Sequence, residues 1–433
     1  MINNVDDTWI LLIGQPTIKP MVILIWCGES KPNNLNDFLF PFKCETDGKF
    51  NLLVHRMSYS RPGALRTDAS FRERSQPQHH KEYSSLENLP IDMVNDFPTS
   101  DPLHLLHHGV MKKMLSMWIE GSTLYDFKWT KRDIRKINQL ICECSRQMPT
   151  DIHRSLRILD YWKYWKATEF RTFLMYSGIV ILKDVLQSEE YEHYLTLCCA
   201  VRICSADVYA EMLPLANELF AEFVESFISI YGENNVVSNV HNVLHIYNDV
   251  RRFGNLNTIS TYEFENCLRL MKLNLQSRDA PLEQLSRRLI EMSLEPRLLN
   301  SSDFLNTFSP QLKYRIMSNE NHSTFKFIKI SSDTFLSIKK FGDKWFLTKD
   351  NNIVEMKYAY RDEGVYFVHG APIKVKHDFF IQPFSSRYAD IFVSEIEKMA
   401  PQNFRIDCIK CKLICLGYHH QYVFIPILHS FQK

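Results

Sequence analysis

His241 and His245 stand four residues apart in Asn239-Val-His241-Asn-Val-Leu-His245. On a helix that spacing puts two imidazoles on one face about a turn apart, able to address a single metal ion or carboxylate. Two packed or solvated histidines show the same spacing, so the pair alone leaves the metal open. Downstream, Glu265 sets a carboxylate between Phe264 and Asn266, and Ser260-x-x-Glu263 has the spacing of a capping box at a helix start. Upstream, Asp101 directly precedes Pro102, as an N-cap residue followed by proline at the first helical position would. Common nucleotide and hydrolase chemistry lacks support: the chain has no Gly-x-x-x-x-Gly-Lys loop, Gly-x-Gly-x-x-Gly, Gly-x-Ser-x-Gly or His-Glu-x-x-His.

The elements that must position these residues fall into regions of different period. Trp9-Ile-Leu-Leu-Ile13 and Met21-Val-Ile-Leu-Ile-Trp26, separated by Gly14, Pro16 and Pro20, predict two buried strands and a turn of an α/β sheet. Residues 48–100 are polar and read as an irregular linker, most basic at Arg61, Arg66, Arg72 and Arg74, which either lie against phosphate or are solvated. Residues 101–300 are helical: Leu103, Leu106, Val110, Met114 and Met117 repeat at three- and four-residue steps. Ala216 to Ile230 does the same, in a helix starting near Pro214 and closed by Gly232. Within it Tyr161, Trp162, Tyr164 and Trp165 read as core rather than as a base-stacking cluster, and His107 and His108 as helix-surface residues. Over 309–433 the period shortens. Strands are predicted at 325–330, 335–339, 344–348, 365–368, 412–415 and 422–427, giving a small separate β-rich domain.

Composition bounds the class. The 433 residues suffice for two or three domains, and 45% hydrophobic with 23% charged residues describes a globular chain. The net charge of +1 gives no global basic field, so any DNA contact must come from local patches. Eleven cysteines without framework spacing fit a reducing compartment. The run 21–27 is too short to span a bilayer and the N-terminus lacks a signal-peptide start, so no membrane partner and an intracellular, nuclear or cytoplasmic location are expected.

The order of these features resembles the C-terminal half of animal DNA transposases of the CACTA (En/Spm-like) type. Upstream anchors share that order: Arg66-Thr67-Asp68 with Phe71 and His79-His80, Phe97-Pro98-x-x-Asp101-Pro-Leu-His104, Gly109-Val110-Met111-Lys112-Lys113, Trp165-Lys-Ala-Thr-Glu169-Phe-Arg171, and Tyr176-Ser177-Gly178. Downstream are Phe253-Gly254-Asn255-Leu256 and Gln284 to Glu291. The similarity runs over residues 9–295 and implies a ribonuclease H-like core in which two Asp and one Glu hold two Mg ions for in-line displacement at a phosphodiester.

Carried over residue by residue, the resemblance makes Glu265 the third catalytic acid and places Asp101 and His104 near the site. Neither catalytic aspartate finds an equivalent: the first belongs before the segment matched at Trp9, and the second to a block missing between Lys31-Pro32 and Cys44. The same gap affects a zinc site that relatives build from Cys-x-x-Cys and His-x-x-x-His. Here Cys44 would be the second thiol beside His241 and His245, and Pro41 stands where the first should be. A closed Zn site is therefore expected to be absent or weak. Cys408-x-x-Cys411 has the spacing but reads as part of a strand.

The expected fold is mixed α and β: truncated ribonuclease H-like strands over 1–47, the linker, the helical region with the third-acid segment, and the C-terminal β domain. The expected function is that of a catalytically incomplete transposase remnant. One alternative is a domesticated DNA- or protein-binding module contacting DNA through Arg61 to Arg74, the face of Arg132, Arg135 and Lys136, and Arg287 with Arg288. Another is a gene model lacking exons of an active transposase. A homo-oligomer is compatible with these readings, and no nucleotide cofactor is expected. Glu265 should approach Asp101, His104 and the N-terminal strands, or else pair with Arg269 one turn on.

Overall fold

A computed structural model describes residues 2–5, 8–13, 21–27, 43–44, 49–51, 56–59, 63–77, 83, 85–121, 128–273, 275, 281–294, 309–318 and 323–432. The fold is mixed, with helices in the N-terminal and middle parts and a many-stranded antiparallel sheet at the C-terminal end. Two compact units interleave along the chain: residues 1–109 with 233–306, and residues 110–232 with 307–433. The helical stretch expected over 101–300 is therefore shared between them. Periodicity reports that a helix buries one face but not which partner it buries it against.

In the first unit, β1 (Ile2–Val5), β2 (Thr8–Ile13) and β3 (Met21–Cys27) form an antiparallel sheet in the order β1-β2-β3. Trp9 pairs with Trp26 and Ile10 with Ile25, so both expected strands are present and a short one precedes them. Helix Pro281–Leu294 packs along β3. The stretch expected to be irregular holds a hairpin of β4 (Lys49–Asn51) and β5 (Arg56–Ser58), and a helix, Asp68–Arg72, capped reciprocally by Thr67 and Ser70.

Pro102–Met111 winds as a π-helix that continues into the α-helix Lys112–Glu120. Gly109 lets it approach the helix Ser238–Asn242, since a Cβ there would lie 2.5 Å from Asn239 Nδ2. His107, expected on the surface, is instead buried and hydrogen-bonds the Tyr262 hydroxyl at 2.9 Å.

The second unit joins its helices to its sheet. Leu213–Tyr231 carries Pro214 in its first turn and closes at Gly232, with φ +86°, as its spacing predicts. A π turn, Phe173–Ser177, leaves carbonyls that side chains satisfy: the Tyr194 hydroxyl donates to Phe173 O and Leu174 O, and Arg202 to Met175 O. Trp162 and Trp165 are buried, whereas Tyr161 and Tyr164 face outward, which corrects the expectation that all four are core.

The sheet runs β12 (His377–Asp378), β13 (Phe392–Ser394), β16 (Gln421–Pro426), β15 (Ile409–Tyr418), β9 (Trp345–Thr348), β10 (Ile353–Asp362), β11 (Val365–Pro372), β14 (Gln402–Arg405). β7 (Ser323–Lys329) also pairs with β10, and joins β6 (Gln311–Ser318) and β8 (Phe335–Ser337). Helix Lys131–Gln147 docks on it: Gln147 Oε1 accepts from Gly417 N, and a Cβ on Gly342 would meet Gln147 O at 2.3 Å. Beneath that contact Lys412 is fully buried between Asp151 at 2.5 Å and Asp343 at 2.9 Å, and Asp343 also accepts from Thr150.

Glu355 on β10 is buried, which would raise its carboxyl, but hydrogen bonds from Lys344, Lys357 and Lys398 outweigh this and lower it from 4.5 to about 2. Lys412→Met leaves two buried carboxylates without a cation and should lower unfolding stability by about 3–5 kcal/mol in a denaturant titration; an unchanged midpoint contradicts the buried triad. Glu355→Gln should be less stable than wild type above pH 4.5, and the difference should shrink as pH falls toward about 2, because a depressed carboxyl stabilises only while ionised.

Candidate metal centre

Lys43 and Cys44 reach the first unit's interior through an isolated strand pairing: Cys44 bridges Leu65, and Arg66 N donates to Lys43 O at 2.9 Å. Opposite runs a helical stretch, α over Ser238–Asn242, a 3-10 turn over Val243–His245, then α over Ile246–Phe253. Val240, Val243 and Ile246 are fully buried and fix its orientation. The 3-10 turn lies between the two histidines, yet their rings converge, with centroids 5.6 Å apart.

Ligating atoms of Cys44, His241 and His245 lie within 4.8 Å of one another, and all three residues are buried. Cys44 Sγ is 3.0 Å from His241 Nε2. His241 Nδ1 donates to Tyr59 O at 2.9 Å, which fixes the tautomer and leaves Nε2 as the lone pair facing the thiol. Tyr59 N in turn donates to Val236 O, tying this carbonyl to the entry of the helical stretch. His245 Nε2 is buried with no hydrogen-bond partner among the described residues. Burial lowers both imidazoles, His241 against the opposing Tyr59 hydrogen bond. For His245 the neighbouring His241 and the Lys43 ammonium add to it, Asp249 opposes, and the value falls to about 4. Both rings are thus neutral near pH 7, the state that binds metal.

A thiol and two neutral imidazoles, one with an orphaned nitrogen, make a donor set suited to zinc. Among the described residues these three make up the cluster, and a tetrahedral ion would take one ligand more. Cys408 and Cys411 form no such set among the described residues: Cys411 is buried in β15, and the Cys408 thiol donates to Asp407.

Asp249, one turn beyond His245, is fully buried and pairs with Lys43. Its other oxygen accepts from Thr99 N at 2.8 Å and Ser100 N at 3.0 Å, the residues just before Asp101. Asp101 caps its helix, accepting from Leu103 N and His104 N, and also holds the His104 ring at 2.5 Å, so cap and pair coexist. It further accepts from Thr261 N at 2.9 Å and Thr261 Oγ1 at 2.6 Å. Thr261 immediately precedes helix Tyr262–Leu273, so Asp101 sets where the Glu265 helix starts. Ser260 accepts instead from Tyr262 N, two residues on, and Glu263 is exposed, which departs from the expected capping box.

Burial would raise the Asp101 carboxyl, but hydrogen bonds from His104 and Thr261 outweigh it and lower it. His104 is raised by the Asp101 hydrogen bond, against burial, with the charges of Asp101 and Glu265 adding to the rise. Glu265 is thus close enough to act on His104. It is half-exposed, and among the described residues it makes no ion pair with Arg269.

The expected phosphate contacts fare differently. Arg72 spends its guanidinium on Asp68, Glu87 O and Ile91 O, Arg74 on Glu87, and Arg66 on Gln76. Arg72 and Arg74 tie helix Asp68–Arg72 and its C-terminal end to Glu87 and Ile91, contacts that charge counting alone does not reveal. Arg61, His79 and His80 lie outside the described residues. Arg288 pairs with Glu291 at 2.6 Å, and Arg287 is exposed. Arg132, Arg135 and Lys136 are exposed on helix Lys131–Gln147. The Trp165 to Arg171 anchor is structural: buried Glu169 takes Arg157 at 2.6 Å and caps Lys166 N.

Dialysed protein is predicted to bind about one zinc or cobalt per chain through Cys44, His241 and His245. Cys44→Ser should abolish the thiolate-to-cobalt absorption band, and His245→Ala should weaken binding on the order of tenfold or more. Metal uptake unchanged in both variants would place the metal elsewhere.

Comparison with known proteins is sparse. Residues 311–427 match a family model described as a domain of unknown function (DUF8592). No curated protein and no solved structure matches the chain.

Proposed function

We propose that the chain derives from a CACTA (En/Spm-like) DNA transposase and serves as a metal-braced DNA-binding protein that does not cut DNA. The observation that carries this reading is the tie from Asp101 and His104, through Thr261, to the helix of Glu265: two anchors of the resemblance, with Asp101 and Thr261 160 residues apart, meet within one unit. The antiparallel β1-β2-β3 sheet supports a ribonuclease H-like origin. β1 carries no carboxylate of its own, and Asp6 and Asp7 lie outside the described residues.

Two catalytic magnesium ions need several carboxylates to bridge them. Glu265 has Asp101 nearby, but Asp101 is engaged by Thr261 and His104 and caps a helix. Its oxygens hold a structure together rather than facing a metal. DNA binding then falls to exposed cations, of which Arg132, Arg135 and Lys136 share one helix.

Purified protein should bind duplex DNA in a salt-dependent manner without magnesium- or manganese-dependent nicking or strand transfer. Arg132→Glu with Arg135→Glu should weaken binding and lower the salt slope by about 2. Cleavage abolished by Glu265→Gln would overturn the non-cutting assignment, and duplex binding indifferent to salt would overturn the DNA-binding one.

A further inference from the structure

The sheet of β10, β11 and β14 buries one face in an apolar cluster that includes Val354, Met356, Ala359 and Val368. A bulge between Met356 and Tyr358 inserts Lys357, so that Glu355, Tyr358 and Tyr360 share the opposite face. Cross-strand register extends that face as two rows. Tyr358 faces His369, which faces Asn403, and Tyr360 faces Phe367, which faces Arg405.

The rings lie flat against each other. Tyr358 and His369 stack at 4.6 Å and 17°, Tyr360 and Phe367 at 5.2 Å and 13°. Tyr360 is buried and forms the floor, whereas Tyr358, His369 and Phe367 are half-exposed. The His369 ring is held by Asn403 Oδ1 at 2.7 Å.

The edge of this face is positive for a structural reason. Lys344 sits on Glu355 Oε1 at 2.5 Å, while Lys357 and Lys398 share Oε2 at 2.7 and 2.8 Å. One carboxylate cannot balance three ammonium groups. The last two nitrogens are held within about 5.5 Å of each other, the sum of their contacts, with 40% and 35% of their side chains exposed. The pairs Lys374–Glu397 and Arg405–Asp407 are neutral, and the exposed carboxylate of Asp362, two residues past Tyr360 and close enough to raise its hydroxyl, lies toward the other end of β10 from the lysine pair.

We propose that this face binds single-stranded nucleic acid, with bases stacked on the ring faces of Tyr358, His369 and Phe367 that the mutual stacking leaves uncovered and backbone phosphates on Lys357 and Lys398. Flat π surfaces beside a pre-gathered cationic pair match a chain that alternates bases and phosphates. A duplex keeps its base faces internal, and an acidic peptide has charge without successive flat rings. The inference stands on β10, β11 and β14 and is independent of the Arg132 helix.

The test is fluorescence anisotropy of the full chain with labelled oligothymidylate, against a duplex of equal length and a poly-glutamate competitor. Lys357→Gln with Lys398→Gln should lower the salt slope by about 1–2, and Lys344 remains on Glu355 to keep that carboxylate paired. Tyr358→Ala should weaken single-strand binding on the order of tenfold with the salt slope unchanged, and Tyr358→Phe should restore it. In an Arg132→Glu with Arg135→Glu background, Tyr358→Ala should still weaken single-strand binding on the order of tenfold. Single-strand binding unaffected by the Lys and Tyr358 variants overturns the proposal. So does its absence in the wild type, or equal competition by poly-glutamate, which would make the face a generic anion or acidic-peptide site.

Discussion

One carboxylate, that of Asp249, holds together everything chemically notable in the first unit. Fully buried, it takes the Lys43 ammonium on one oxygen and the amides of Thr99 and Ser100 on the other. Lys43 precedes Cys44 and Ser100 precedes Asp101, so the thiol of the metal cluster and the cap of the His104 helix are placed by the same side chain. A buried charge is costly unless its partners are complete. That cost makes the arrangement specific: chain segments far apart in sequence must arrive together or the aspartate stays unpaired.

The second unit uses the same device with the sign changed. Lys412 is a buried cation enclosed by Asp151 from the helical part and Asp343 from the β part. Arg202 is buried and, with no carboxylate partner among the described residues, lies against carbonyls, those of Met175 and Pro426, one from each part. Gln147 adds a bond to Gly417 where glycine permits contact. Helices and sheet are therefore one body here, although the matched family stretch covers only the sheet.

Local pattern made much of this readable. Asp101-Pro102 names its cap, Pro214 and Gly232 bracket their helix, and the apolar strand runs all appear as strands. β10, among the longest strands, was missed because Glu355, Lys357, Arg361 and Asp362 interrupt its apolar alternation. The lysines that neutralise Glu355 come partly from distant positions. His241 and His245 were legible as a pair, and Cys44 only through resemblance. The third position depends on a fold across nearly two hundred residues, which no spacing rule encodes. Asp249 was overlooked for the same reason, although its place one turn after His245 is the signal that could have found it. Arg66, Arg72 and Arg74 are legible as charge, but the partners they take up, Gln76, Asp68, Glu87 and the carbonyls of Glu87 and Ile91, are set by the folded chain and not by spacing.

The interleaving of the two units has a consequence in time. Cys44 and His241 are separated by 197 residues, and everything between 110 and 232 belongs to the other unit. A ribosome adding about 5–20 residues per second needs roughly 10–40 s to travel from one to the other. During that interval the nascent chain carries a bare thiol and an unpaired lysine, with neither histidine nor aspartate yet made. The helical half of the second unit emerges in the meantime, its own sheet still to come. Both units thus remain unfinished until late in synthesis, and the N-terminal segment is the part that waits longest for its partners.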